Sequence, residues 1–139
     1  MGLQNIAMIR DQIQQMLEYY GAALSDGNFA VIANAWAVPA LVLSDAGALP
    51  VADIHEVEKF FAGAVEWYHN QGITSTRPEI QRIDVLSERL VAVDVRWPSF
   101  NAAGQEVMSE LSHYILEMGS DSQLRFRVAL TRTAAVKDK

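Results

Sequence analysis

Glu110, Ser112 and Tyr114 stand two residues apart inside the run Val107–Met118, so on an extended strand all three project from one face. A carboxylate and a phenol on one face are parts of a general acid/base site. If that face closes over an apolar space, desolvation raises the carboxyl pKa toward the range where it exchanges protons near neutrality. The plainer reading is a glutamate on a rim or in solvent. His113 lies between Ser112 and Tyr114 and points to the opposite face, so Ser112-His113 is not a nucleophile–base pair. His55 and His69 are 14 positions apart on one helix, ~21 Å along its axis, and cannot share one small site. His55-Glu56-Val57-Glu58 lacks the second histidine of the helical zinc motif. The chain has no cysteine, which excludes disulfides, thiolate metal sites and cysteine nucleophiles. It also has no glycine-rich phosphate loop. These residues point to no metal and no cofactor.

The elements that must position this face follow from periodicity. Ile6, Ile9, Ile13, Met16, Leu17, Tyr20 and Leu24 step by threes and fours, which predicts a helix over Leu3–Leu24. Ser25-Asp26-Gly27-Asn28 breaks it. A second helix is expected over Phe29–Ala37, ended by Pro39. Ala40–Ser44 and Ala48–Val51 around Asp45-Ala46-Gly47 read as a hairpin. Asp53, three residues before Glu56, is a capping-box pattern, and opens a third helix with Ile54, Val57, Phe61, Ala64, Val65 and Tyr68 on one stripe. After Gly72 the period becomes two. Strands are predicted over Thr74–Leu86, with a bulge near Ile80 and Ile83, over Leu90–Trp97, over Val107–Met118 and over Leu124–Thr131. Asn101–Gly104 and Gly119–Asp121 supply turns.

Helix, helix, hairpin, helix and then four long strands resembles the nuclear-transport-factor-like superfamily, which includes ketosteroid isomerases, scytalone dehydratase and SnoaL-like cyclases. Two local patterns strengthen the resemblance: Ala22–Phe29 at the turn between the first two helices, and Trp97 through Gly104 followed by Ser112-His113-Tyr114. The resemblance implies an α+β fold of the cystatin-like cone kind, three N-terminal helices packed in a curved, mainly antiparallel mixed sheet. A single SnoaL-like domain would span 1–135, with a frayed tail at 136–139. It also implies an apolar cavity near Tyr20, Trp36, Trp97, Tyr114 and Phe126, although aromatics at such spacing also read as plain core.

Carried over residue by residue, isomerase-like chemistry finds its tyrosine at Tyr20. It finds serines, Ser44 and Ser112, where that chemistry needs a base and a second acid. Glu110 is then the candidate general base, working with Tyr20. Arg77 falls where a dehydratase-like histidine would sit and can anchor an anion, or it is a surface residue at a strand entrance. The function implied is a cavity for a small cyclic or hydrophobic molecule, with acid/base catalysis of the cyclase, dehydratase or hydrolase kind. The alternative is a non-catalytic ligand-binding or accessory dimerisation domain.

Composition bounds the partners. Half the residues are apolar, a fifth are charged, and the net charge is −6. That is globular composition, and its acidic surface repels a nucleic-acid backbone. Arg125, Arg127 and Arg132 are too few to reverse this. The start Met1–Ile6 does not read as a signal peptide, and Phe29–Leu43 is too short to span a bilayer. No membrane partner is expected, and the cytoplasm is the expected compartment. Leu111 and Ile115 make the outer sheet face partly apolar, where a solvated sheet should be polar. Related proteins commonly dimerise through that convex face, and a homodimer is expected here.

Overall fold

The computed structural model describes residues 6–134, and side chains from 8 to 132. The expected helix start at Leu3 and the tail 136–139 lie outside the described residues. The first helix, α1, spans Ile6–Asp26. Ile9, Ile13, Leu17 and Tyr20 on its stripe are at most 4% exposed. Gly27 adopts φ 71° after its last turn, and the Asn28 side chain then accepts from the Val31 N–H at 3.3 Å to cap α2.

Helix α2 is shorter than periodicity predicts. It covers Phe29–Asn34, and Trp36, expected on the helix, instead opens the strand β1 (Trp36–Ser44). The reason is long-range pairing. The Phe126 N–H donates to the Ala35 carbonyl at 2.8 Å, and Trp36 sits opposite Phe126, so the sheet takes the residues a further helical turn would use. Pro39 lies inside this strand where the register slips between Trp36 and Leu41, a place that demands no ladder N–H from it.

A tight turn at Asp45-Ala46 leads into β2 (Gly47–Val51), antiparallel to β1. The third helix, α3, spans Ile54–Asn70. Its cap is reciprocal, as expected: Asp53 Oδ1 accepts from the Glu56 N–H at 2.9 Å, and Glu56 Oε1 accepts from the Ala52 N–H at 2.8 Å. Val57 and Val65 are buried, whereas Ile54, at the start of the stripe, is exposed.

The single strand expected over Thr74–Leu86 is two, β3 (Ile73–Thr76) and β4 (Glu79–Val85), split at Arg77-Pro78. Both pair with β5 (Leu90–Asn101), and the register of β4 shifts between Ile80 and Arg82, at the expected bulge. Strands β6 (Glu106–Met118) and β7 (Leu124–Ala134) complete the sheet. The order is β2-β1-β7-β6-β5-β3, with β4 also on β5. Only β1–β7 is parallel among these pairings. The architecture is therefore α+β, three helices against a curved seven-stranded mixed sheet.

Alternation assigns the two faces. Val91, Val93, Val95 and Trp97 of β5, Tyr114 and Leu116 of β6, and Phe126 of β7 are buried beneath the helices. Phe126 is the hub of the aromatic core, with ring centroids 4.7 Å from Tyr20, 5.1 Å from Trp36 and 4.5 Å from Tyr114. Trp97 reaches α1 because residue 21 is glycine: a Cβ there would stand 3.0 Å from Trp97 Cζ3.

Candidate functional site

Between α1, α3 and the helix-facing side of the sheet lies a cavity of about 340 Å³, within the range of small-molecule sites. Helix α1 contributes Tyr20 and Leu24. Strand β1 contributes Trp36 and Val42, and α3 contributes Phe60, Phe61, Ala64, Trp67 and Tyr68. The long strands add Trp97, Glu110, Ser112, Tyr114, Ala129 and Thr131. Phe60 and Trp67 are 45% and 48% exposed, so the lining reaches solvent along α3.

Four polar contacts organise these walls. The Tyr68 hydroxyl donates to Glu110 Oε1 at 2.8 Å. The Trp36 indole N–H donates to the Tyr20 oxygen at 3.3 Å, and that of Trp97 donates to the Tyr114 oxygen at 2.9 Å. Ser112 and Thr131 share a hydroxyl–hydroxyl bond of 2.8 Å. Each tyrosine that receives an indole N–H keeps its own proton to donate.

Burial governs the electrostatics. Loss of hydration pushes the Glu110 carboxyl above the ordinary carboxylate range, and the bond from Tyr68 partly offsets this by favouring the anion. Tyr68 is raised by desolvation first and then by the Glu110 charge, so it stays protonated as a donor. Desolvation likewise raises Tyr20, and pushes Tyr114 up to about 12 against the bonds from Ser112 and Trp97. Among the described side chains, Glu110 Oε2 has no hydrogen-bond partner.

Of the residues singled out from the sequence, Tyr20, Trp36, Trp97, Glu110, Ser112 and Tyr114 line this cavity. Phe126 stands behind them as the ring on which Tyr20, Trp36 and Tyr114 pack. Two residues fall outside. Ser44 is exposed at the end of β1, where its hydroxyl accepts from the Ala46 N–H of the hairpin turn at 3.2 Å. Arg77 is exposed at the break between β3 and β4, with its guanidinium 4.6 Å from the centroid of the Phe100 ring. Glu110 and Tyr20 both line the cavity, but they are not hydrogen-bonded to each other: the Glu110 partner is Tyr68, and the Tyr20 oxygen accepts from Trp36. In the sequence Tyr68 is one position of the apolar α3 stripe, and that pattern holds no sign of which phenol tip meets a carboxylate.

His113 lies on the far face of the sheet, with Nδ1 2.7 Å from Asp94 Oδ1. Among the described residues no group of three or more histidine, aspartate or glutamate side chains is placed to hold a metal. No helix there is long and apolar enough to cross a membrane. A second hollow of about 660 Å³ lies between α1, α2 and the β6–β7 turn. It is larger, but its lining carries no acid, and Tyr20 lines both spaces.

The family model described as "NTF2-like protein (DUF6841)" matches residues 10–134. Comparison with curated proteins finds no match. Among solved structures, a protein of unknown function with a cystatin-like fold from Nostoc punctiforme is similar at TM-score 0.72 and 8% identity, over 98% of this chain and 97% of its own. A ketosteroid isomerase-like protein from Erwinia carotovora atroseptica is similar at TM-score 0.66 and 11% identity, over 90% and 95%. A protein from Catenulispora acidiphila in complex with S-DNPA is similar at TM-score 0.67 and 15% identity, over 91% and 94%. At these identities the likeness concerns the fold.

Proposed function

We propose, from the premise that this chain belongs to the NTF2-like DUF6841 family, that its cavity binds a small cyclic or otherwise hydrophobic molecule and that Glu110 exchanges protons with it. One observation carries the reading: a partly desolvated carboxylate, held on one oxygen by Tyr68 at 2.8 Å, faces a mainly apolar and aromatic cavity of about 340 Å³. A folded protein keeps such a group at a cost, and proton exchange or ligand anchoring is the usual return. Tyr20 and Tyr114 can each donate a proton toward the same space, so a carbonyl or hydroxyl on the ligand has donors as well as a base. That the Catenulispora neighbour was solved in complex with S-DNPA supports a ligand-binding role for this fold.

The non-catalytic alternative is supported by the absence of a second acid among the described residues of the cavity lining. Proton transfer between two sites on a substrate would then have to return through Glu110 itself. A thermal-shift screen with aromatic, steroid-like and polyketide-like compounds tests the binding, since a ligand held only by the native state raises Tm. For any compound turned over, Glu110→Gln should keep binding and lose turnover. Unchanged turnover in that variant removes Glu110 from the chemistry and leaves the alternative.

The proposal includes a homodimer through the convex sheet face. Ile115 of β6, Val128 of β7 and Leu41 of β1 adjoin in register, as do Leu130 and Leu43, with Leu111 further along β6, and each is half-buried. Ion pairs border them: Arg96 with Glu79 and Glu106, and Arg127 with Glu117. An apolar centre with a charged rim is the pattern of an isologous interface. Light scattering at micromolar concentration should give twice the monomer mass for the wild type and the monomer mass for Ile115→Arg. A monomeric wild type refutes the dimer.

A further inference from the structure

The charge of the cavity is one-sided. Among the described residues its lining contains one carboxylate, Glu110, and no lysine or arginine. His69 also lines it and is exposed. The two buried indole N–H groups, of Trp36 and Trp97, are given to Tyr20 and Tyr114, and the third, of Trp67, lies where the lining reaches solvent. An anionic ligand would face the Glu110 carboxylate in a desolvated space without a counter-charge, and like charges there repel strongly. A purely neutral ligand without an N–H or O–H offers the half-buried Glu110 no partner for Oε2 and displaces water from it.

We infer that the cavity selects an organic cation, a cyclic or aromatic amine whose ammonium N–H meets Glu110 while its body lies among the rings of Trp36, Phe61, Trp67 and Trp97. A charge-assisted N–H···O bond satisfies the free oxygen, and the negative faces of aromatic rings attract the remaining charge. The overall charge of −6 draws cations and repels anions on approach. This inference rests on the reading of the cavity as a ligand site, and specifies the class of ligand within it.

Three probes of one shape test the sign of the charge: 2-naphthylmethylammonium, 2-naphthalenemethanol and 2-naphthoate, titrated by calorimetry into the full chain. The expected result is that the ammonium binds at least about tenfold more tightly than the alcohol, and that the naphthoate binds most weakly. In Glu110→Gln the ammonium should lose that advantage while the alcohol keeps its affinity, which also reports that the cavity is intact. Trp67→Leu, at a 48% exposed position that folding tolerates, should weaken the ammonium several-fold more than the alcohol. The inference is overturned if the alcohol or the naphthoate binds as tightly as the ammonium, or if the ammonium's advantage survives in Glu110→Gln. It is also overturned if none of the three binds while other compounds of the wider screen do. If no compound of any charge binds, the reading of the cavity as a ligand site falls, and the inference falls with it.

Discussion

Replacing Tyr68 with phenylalanine removes one hydroxyl and leaves the ring, including its contact with Trp67 at 5.4 Å. What is lost is the 2.8 Å bond to Glu110. A hydrogen bond to a charged acceptor contributes about 1.5–3 kcal/mol and one between neutral groups about 0.5–1.5 kcal/mol. Glu110 is half-buried, which argues for the lower part of each range. The sign with pH follows from the raised carboxyl. The native state holds the Glu110 proton more tightly than the unfolded chain does. Stability from this group is therefore present at acid pH and is lost as pH rises from the ordinary carboxylate range through the raised native value. Tyr68 opposes that loss by favouring the anion, so Tyr68→Phe should make it steeper. Urea unfolding should show the variant less stable by about 1.5 kcal/mol near pH 8 and by about 0.5 kcal/mol near pH 5. In the Glu110→Gln background most of the pH dependence of this difference should vanish. An equal loss at both pH values, or no coupling between the two substitutions, would refute the pairing of phenol and carboxylate as the control on Glu110.

Further outcomes follow from the packing. Phe126→Ala removes a fully buried ring from contact with three others; a loss of about 4 kcal/mol is expected, and a melting curve within a few degrees of wild type would contradict it. Gly21→Ala should gain about 1 kcal/mol of helix propensity and lose more to the clash 3.0 Å from Trp97. Trp97 is buried and tied to Tyr114, so the net change expected in chemical denaturation is destabilising. Asp53→Ala should cost about 1 kcal/mol by undoing the α3 cap, measurable as a lower urea midpoint with an unchanged slope.

Much of this arrangement is legible in the sequence, because much of it is local. The stripe Ile9-Ile13-Leu17-Tyr20, the Asp53–Glu56 cap and the alternation of Val91-Val93-Val95-Trp97 each express one element's contact with one core. The misreadings occur where a distant strand decides. Phe29–Ala37 has a helical pattern, but pairing of Ala35 and Trp36 with Phe126 converts its last residues to strand. Thr74–Leu86 has strand composition throughout, but Pro78 lacks the N–H to continue a ladder and the chain starts again at Glu79. Ser44 shows how one turn reassigns a residue: with Gly47 opening β2, the serine hydroxyl closes the hairpin and stays outside the cavity. Glu110 could be placed on the correct face by counting in twos. Its partner could not, since Tyr68 lies 42 residues away on another element.

The parallel pairing of β1 with β7 has a kinetic consequence. Trp36 pairs with Phe126 and Leu43 with Leu130, so the long stretch of chain between β1 and β7 must be gathered before this seam closes. Contacts of such long sequence separation raise the contact order and slow folding. The cavity is bounded by both sides of that seam, with Trp36 and Val42 on one strand and Ala129 and Thr131 on the other. Its walls are therefore complete only once β1 and β7 have paired. A chain still lacking β7 would carry Glu110 and Tyr68 but no closed space around them. It would also leave Tyr20, Trp36 and Tyr114 without the Phe126 ring, an exposed aromatic surface prone to association.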